Sequence, residues 1–239
     1  VHRETAELIK WKSFKGVNMD QITICKQRKK IYELLSYCLL NVPAKDSLQI
    51  MIKGREILKE LIEDDAKTEY SIEFSELEKY EQEYYDRFFV PTSSHFIPPY
   101  ESAIRNRATM GEKIKFGKLE TKETFHVKAC YEMVSFNPQN LNMFRPLKDI
   151  QFPDHIAFEM SFMTFLVAEE KKSLEKNEEE KALRWQNLQS QFLSEHLSKW
   201  IEDYARLSEE KNKGLYSYWL NLCAAWIKED ILGLELKKE

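Results

Sequence analysis

Apolar residues return at three- and four-residue intervals through most of this chain, and glycine rarely interrupts them. Gln21 to Leu40 carries Ile24, Ile31, Leu34, Leu35, Cys38 and Leu39 near the helical period, and Asn41-Val42-Pro43 ends it. Asp46 to Leu61 repeats the pattern through Ile50, Ile57, Leu58 and Leu61. Phe74 to Phe89 aligns Leu77, Tyr80, Tyr84 and Phe88, and Thr121 to Ser135 carries Phe125, Cys130, Tyr131 and Val134. Asp154 to about Lys172 is strongly apolar and helical, and the charged run Lys171 to Lys181 is expected to continue that helix. Arg184 to Leu207 places Leu188, Phe192, His196, Leu197, Trp200 and Tyr204 on one face. Leu215 to Leu232 follows the turn residue Gly214, so these last two segments read as an antiparallel helical hairpin.

A β protein of 239 residues would need many glycine-containing turns, and only 6 glycines are present. The fold class expected is all-α: a single-domain helical bundle of about eight to ten helices, given ordinary helix lengths. It would span 21–235, after an N-terminal extension or helix over 1–20. A hydrophobic fraction of 43% supplies its core. The helical pattern fails twice in mid-chain. Val90 to about Glu120 holds Pro91, Pro98, Pro99, Gly111 and Gly117, and Phe136 to Pro153 holds Pro138, Pro146 and Pro153. Long irregular connections inside a helical bundle are often functional.

Net charge is -4, from 36 basic and 40 acidic residues, which argues against nucleic acid as a partner. No run of about 18 apolar residues suggests an integral membrane segment. Val1-His2-Arg3-Glu4-Thr5 does not open a secretory signal, and a cytoplasmic location is expected. Cys25, Cys38, Cys130 and Cys223 are far apart, with no CxxC, and read as structural thiols in a reducing compartment.

The signatures of common enzymes are missing: no GxGxxG, no GxxxxGK[ST] phosphate loop, no HExxH and no GxSxG elbow. No catalytic residue, metal or cofactor is therefore expected. His126 and Cys130, four apart on one helix, could give two metal ligands, but nothing nearby in sequence completes a set. His196 reads as a core histidine satisfied by a hydrogen bond.

Two segments stand out. In the first, Pro153 places Asp154 as a helix N-cap, and His155 and Glu159, four apart, can face each other. Glu159 lies on the apolar stripe of Ile156, Met163 and Leu166, where an unpaired carboxylate is costly. Either these residues only cap and pair, or the helix N-terminus with its imidazole contacts a ligand. In the second, Tyr80, Tyr84, Tyr85, Phe88 and Phe89 place rings on two adjacent helix faces. One face can pack inward while the other lines a groove suited to an apolar peptide.

In this order the segments resemble the TorD/DmsD/NarJ-type family of redox-enzyme maturation chaperones. Glu83-Tyr84-Tyr85-Asp86-Arg87-Phe88-Phe89-Val90-Pro91 is similar to that family's E-Y-x-R-L-F-x-x-P, and Pro98-Pro99-Tyr100-Glu101-Ser102 to its P-P-Y-E-S. Pro153-Asp154-His155-Ile156 running to Glu159 and Phe162-Met163 is similar to its P-D-H-I-x-x-E-L-x-F-M, and Phe192-Leu193 to Trp200 to its C-terminal helix. The likeness runs from about Ile22 to Leu232. Phe88 stands where the family usually has Leu, and so does Met160; both keep apolar character. The resemblance implies an all-helical, non-catalytic chaperone without a cofactor. Its partners would be the twin-arginine leader and the apo form of a molybdopterin oxidoreductase. Export proofreading and cofactor insertion would be its tasks.

The residues implied at the leader site are Tyr84, Phe88, Phe89, Pro91, Asp154 and His155, extended on position to Pro98, Pro99, Tyr100 and Glu159. The acidic clusters Glu63-Asp64-Asp65 and Glu178-Glu179-Glu180 are either solvated faces or attractors for the leader's arginines. Helix exchange through the mid-chain loop would allow a homodimer. The rival readings are an assembly scaffold for the mature subunit without leader specificity, and an α-helical enzyme using His155 and Glu159.

Overall fold

A computed structural model describes residues 20–62, 70–111 and 113–235. Most of the expected N-terminal extension and the Glu63-Asp64-Asp65 cluster lie outside the described residues. The helices are α1 (Gln21–Leu40), α2 (Lys45–Leu61), α3 (Leu77–Phe88), α4 (Glu101–Arg105), α5 (Lys122–Met133), α6 (Arg145–Lys148), α7 (Ile156–Glu175), α8 (Glu179–Glu195), α9 (Ile201–Lys211) and α10 (Leu215–Glu235). The chain is an all-α bundle. Among the described residues, a small antiparallel hairpin stands in the first irregular stretch, β1 (Ala108–Met110) and β2 (Lys113–Lys115), paired Ala108 with Lys115 and Met110 with Lys113.

α1 lies along α7, α7 along α8, and α9 along α10 as the expected hairpin. Trp200, Trp219 and Trp226 are buried at its centre with Tyr32, Tyr204 and Phe158. Full burial of a large apolar side chain stabilises by on the order of 3 kcal/mol, so this aromatic core is a principal source of stability. One charged cluster crosses it. Arg28 on α1 donates to Asp230 of α10 at 2.6 and 2.9 Å and to Glu170 of α7 at 3.3 Å. Tyr32 donates to Asp230 at 2.8 Å, and Gln189 of α8 to Glu170 at 2.8 Å. Removing one member would strand a buried charge, so the cluster fixes the mutual register of four helices. No helix among the described residues is long and apolar enough to cross a membrane.

The structure corrects two expected helices. The charged run Lys171 to Lys181 continues α7 only as far as Glu175, and its last residues from Glu179 already belong to α8. Asn177 takes φ +57°, and its N–H reaches Leu174 O at 3.0 Å while Glu178 N–H reaches Ser173 O at 2.9 Å. That paired closure ends a helix, with asparagine tolerating the left-handed position. The segment Arg184 to Leu207 is also interrupted: α8 stops at Glu195, a short 3-10 turn covers Leu197–Lys199, and α9 begins at Ile201. The break turns His196 inward, 2% exposed.

The Glu83–Arg87 part of the aromatic segment is a clamp on the hairpin turn. Glu83 accepts the backbone N–H of Leu215 and of Tyr216, both at 2.9 Å, and so caps the start of α10. Arg87 donates to the carbonyls of Ser208 and Asn212 at 3.1 and 3.0 Å, satisfying the end of α9. Gly214 sits against this carboxylate so closely that a Cβ there would lie 2.4 Å from Glu83 Oε2.

Candidate functional site

The two proline-containing segments, far apart in sequence, meet as a single arch. Tyr100 and His155 form an antiparallel bridge. Glu101 N–H donates to Asp154 O at 2.9 Å, and Ile156 N–H to Pro99 O at 3.0 Å. The prolines suit extended backbone that pairs briefly and then turns into helices α4 and α7.

Asp154 is not the cap of its own helix, as its position after Pro153 suggested. His155 holds that place, its Nδ1 accepting Ala157 N–H at 3.2 Å. Asp154 instead reaches across the arch: its Oδ2 accepts Ser102 N–H in the first turn of α4 at 2.9 Å, and Thr124 Oγ1 of α5 at 3.3 Å. One carboxylate thereby ties the starts of α4, α5 and α7 together. Asp154 is fully buried, and burial raises its pKa above the ordinary carboxylate value. Its second oxygen, Oδ1, has no hydrogen-bond partner among the described residues.

His155 is 1% exposed, and burial depresses its pKa to about 3, so the ring is neutral. An accepting Nδ1 leaves the proton on Nε2, which has no partner among the described residues. The ring lies against Tyr100 and Phe158, each with centroids 5.3 Å away. It makes no hydrogen bond or ion pair with Glu159 among the described residues, so the pairing expected from their spacing is not what the fold uses.

Glu159 accepts Trp200 Nε1–H at 3.1 Å. Its pKa is raised well above the usual value, first by burial and then by the charges of Glu101 and Asp154. A proton on Glu159 removes its repulsion with the Glu101 and Asp154 charges. Glu101 is held by Arg105 on one oxygen and lies 2.7 Å from His196 Nδ1 on the other. His196 Nε2 in turn lies 2.8 Å from His126 Nδ1. A polar chain therefore runs from the buried Glu101 through His196 to the exposed His126.

The aromatic half is placed differently. Tyr84 is fully buried, donates to Leu39 O at 3.1 Å and packs its ring on Phe88, Phe89, Phe144 and Tyr216. Phe88 is also buried, Phe89 is half-buried and Pro91 is exposed. Pro98, Pro99 and Tyr100 belong to the arch; Pro99 is buried and the other two are half-buried. The structure thus joins Pro98, Pro99, Tyr100, Asp154, His155 and Glu159, while Tyr84, Phe88 and Phe89 form a ring cluster of their own.

A cleft of about 500 Å³ opens beside the arch, between the end of α5 and the strand-like run before α7. Tyr131, Phe136, Phe152, Pro153 and Phe158 supply its apolar walls, with Lys128 and Glu132 at its edge. None of the ten expected residues lines it, but Pro153 and Phe158 flank Asp154 and His155 in sequence. Tyr131 donates to Pro153 O at 3.1 Å, which holds α5 against the arch. Ser135 at φ +56° then turns the chain, with Phe136 N–H on Tyr131 O at 2.9 Å, and so folds Phe136 into the wall. Composition marked Phe136 and Phe152 only as residues of an irregular stretch; a proline-bounded aromatic pair was the available signal.

The all-helical fold is the one expected for the NarJ/TorD-type family. Residues 55–206 match the family model of the nitrate reductase delta subunit, and the chain belongs to that family. The family serves the maturation of molybdoenzymes. No curated protein and no solved structure matches the chain.

Proposed function

We propose that this chain is a cytoplasmic chaperone that binds the twin-arginine leader of a molybdopterin oxidoreductase and holds the precursor during cofactor insertion. The observation that carries the reading is the aromatic cleft beside the arch. Its volume suits a few apolar side chains of an extended or helical peptide. Asp154 and His155 lie between Pro153 and Phe158, two residues of the cleft wall, so the arch they build shapes that wall from behind. Apolar burial in the cleft would supply most of the affinity, at roughly 25 cal/mol per Å² before ordering costs. The role of Asp154 is then to position the arch, and Tyr84, Phe88 and Phe89 support the bundle behind it.

Calorimetric titration of a synthetic twin-arginine leader tests the proposal. Binding is expected to weaken about tenfold in Phe152→Ala, since loss of one good contact costs about 1.4 kcal/mol. Absence of binding heat with the native chain would sink it. The exposed Phe125 and Met133 on α5 favour a second contact, with the mature subunit. Competition between leader and mature subunit for the chaperone separates the two.

A further inference from the structure

We propose that His126, Cys130 and His196 form a binding site for a zinc-class divalent metal ion, with Glu195 as the fourth ligand. His126 and Cys130 stand one helical turn apart on α5, and the helix break after Glu195 carries His196 up to them. One potential ligand atom from each of the three lies within 4.8 Å of the others. Glu195 Oε2 lies 3.8 Å from His126 Nδ1, while Gln191 occupies the other carboxylate oxygen at 3.1 Å. Two imidazoles, a thiolate and a carboxylate make a donor set that suits zinc over calcium or magnesium.

Three further features fit a metal. His196 is oriented by Glu101 at 2.7 Å on Nδ1, which aims its Nε2 lone pair at His126 and Cys130. A carboxylate on the distal ring nitrogen is the usual support of a metal-ligating histidine. The ligands line a pocket of about 40 Å³, room for a single ion. Exposure grades from buried His196 through half-buried Cys130 to exposed His126, which gives the ion a path in. The two facing nitrogens, 2.8 Å apart, would open to about 3.3 Å around an ion with metal–nitrogen bonds of about 2.0 Å. The exposed His126 ring is free to make that movement. Binding would release the Cys130 thiol proton to solvent and leave both imidazoles neutral.

Cobalt(II) titration of the purified full chain, stripped with chelator, is the test. The expected result is one equivalent bound, with a cobalt–thiolate charge-transfer band and intense tetrahedral visible bands. Both signals should disappear in Cys130→Ser, and affinity should fall at least tenfold in His126→Ala and survive in His95→Ala. These substitutions fall at accessible positions. A readout needing no variant is alkylation of the native chain with iodoacetamide: zinc should slow modification of Cys130, located by peptide mapping. Binding without a thiolate band, binding that persists in Cys130→Ser, or alkylation indifferent to zinc would each overturn the proposal.

Discussion

Asp154 Oδ2 accepts the backbone N–H of Ser102 at 2.9 Å, across 52 residues of chain. The bond closes the arch in which two sequence segments become one structure. Because Ser102 lies in the first turn of α4, the carboxylate caps a helix that is not its own.

Asp154→Ala should therefore cost about 2 kcal/mol, since it leaves a buried helix N–H without an acceptor. Asp154→Asn keeps an oxygen in place and should recover most of that loss. Urea unfolding of both variants checks the difference; equal losses would mean the carboxylate is not acting as a cap.

His155 should make the chain acid-labile. Its folded pKa of about 3 lies below the ordinary 6.5, so the unfolded chain binds a proton that the folded chain excludes. Stability contributed by the neutral ring is present above 6.5 and is lost as pH falls toward 3, by about 2 kcal/mol at pH 5. A His155→Gln variant should show a flatter stability curve between pH 8 and 5 than the native chain.

Glu159 carries the opposite sign. Its folded pKa is raised above 4.5, so the folded chain keeps a proton that the unfolded chain releases. Stability then falls as pH rises from 4.5 toward the raised folded value. Glu159→Gln, neutral and nearly isosteric, should remove that decline and match or exceed native stability at pH 8. Melting temperatures across pH would reveal it, and a variant less stable at every pH would contradict a protonated Glu159.

At the hairpin turn, Gly214→Ala should destabilise by about 2–4 kcal/mol, because the new Cβ displaces the Glu83 carboxylate from two helix N–H groups. Glu83→Gln should be milder, retaining one acceptor. Thermal unfolding of the two variants gives the order, and a harmless Gly214→Ala would show that the clamp can shift without loss.

Helices α1, α2, α5 and α10 were legible within a few residues, because apolar residues recur in each near the helical period and turn residues bound them. Two breaks were not. Asn177 and His196 carry no proline or glycine beside them, and a charged run or an aromatic stripe reads the same through a turn as along a helix. The capping at Pro153 was read one residue off, since aspartate outranks histidine as a local cap and only a distant N–H redirects it.

The sequence by itself determined the all-helical class, the position of the irregular stretches and the residues that mark the family, because periodicity and turn chemistry act over a few neighbouring residues. Only the tertiary structure decided what the marked residues do. Glu83 and Arg87 close a hairpin turn 120 or more residues away, Asp154 caps α4, and His196 comes to lie against His126. The physical reason is that a buried polar atom must find a partner wherever the packing brings one, and that partner carries no signal in local spacing.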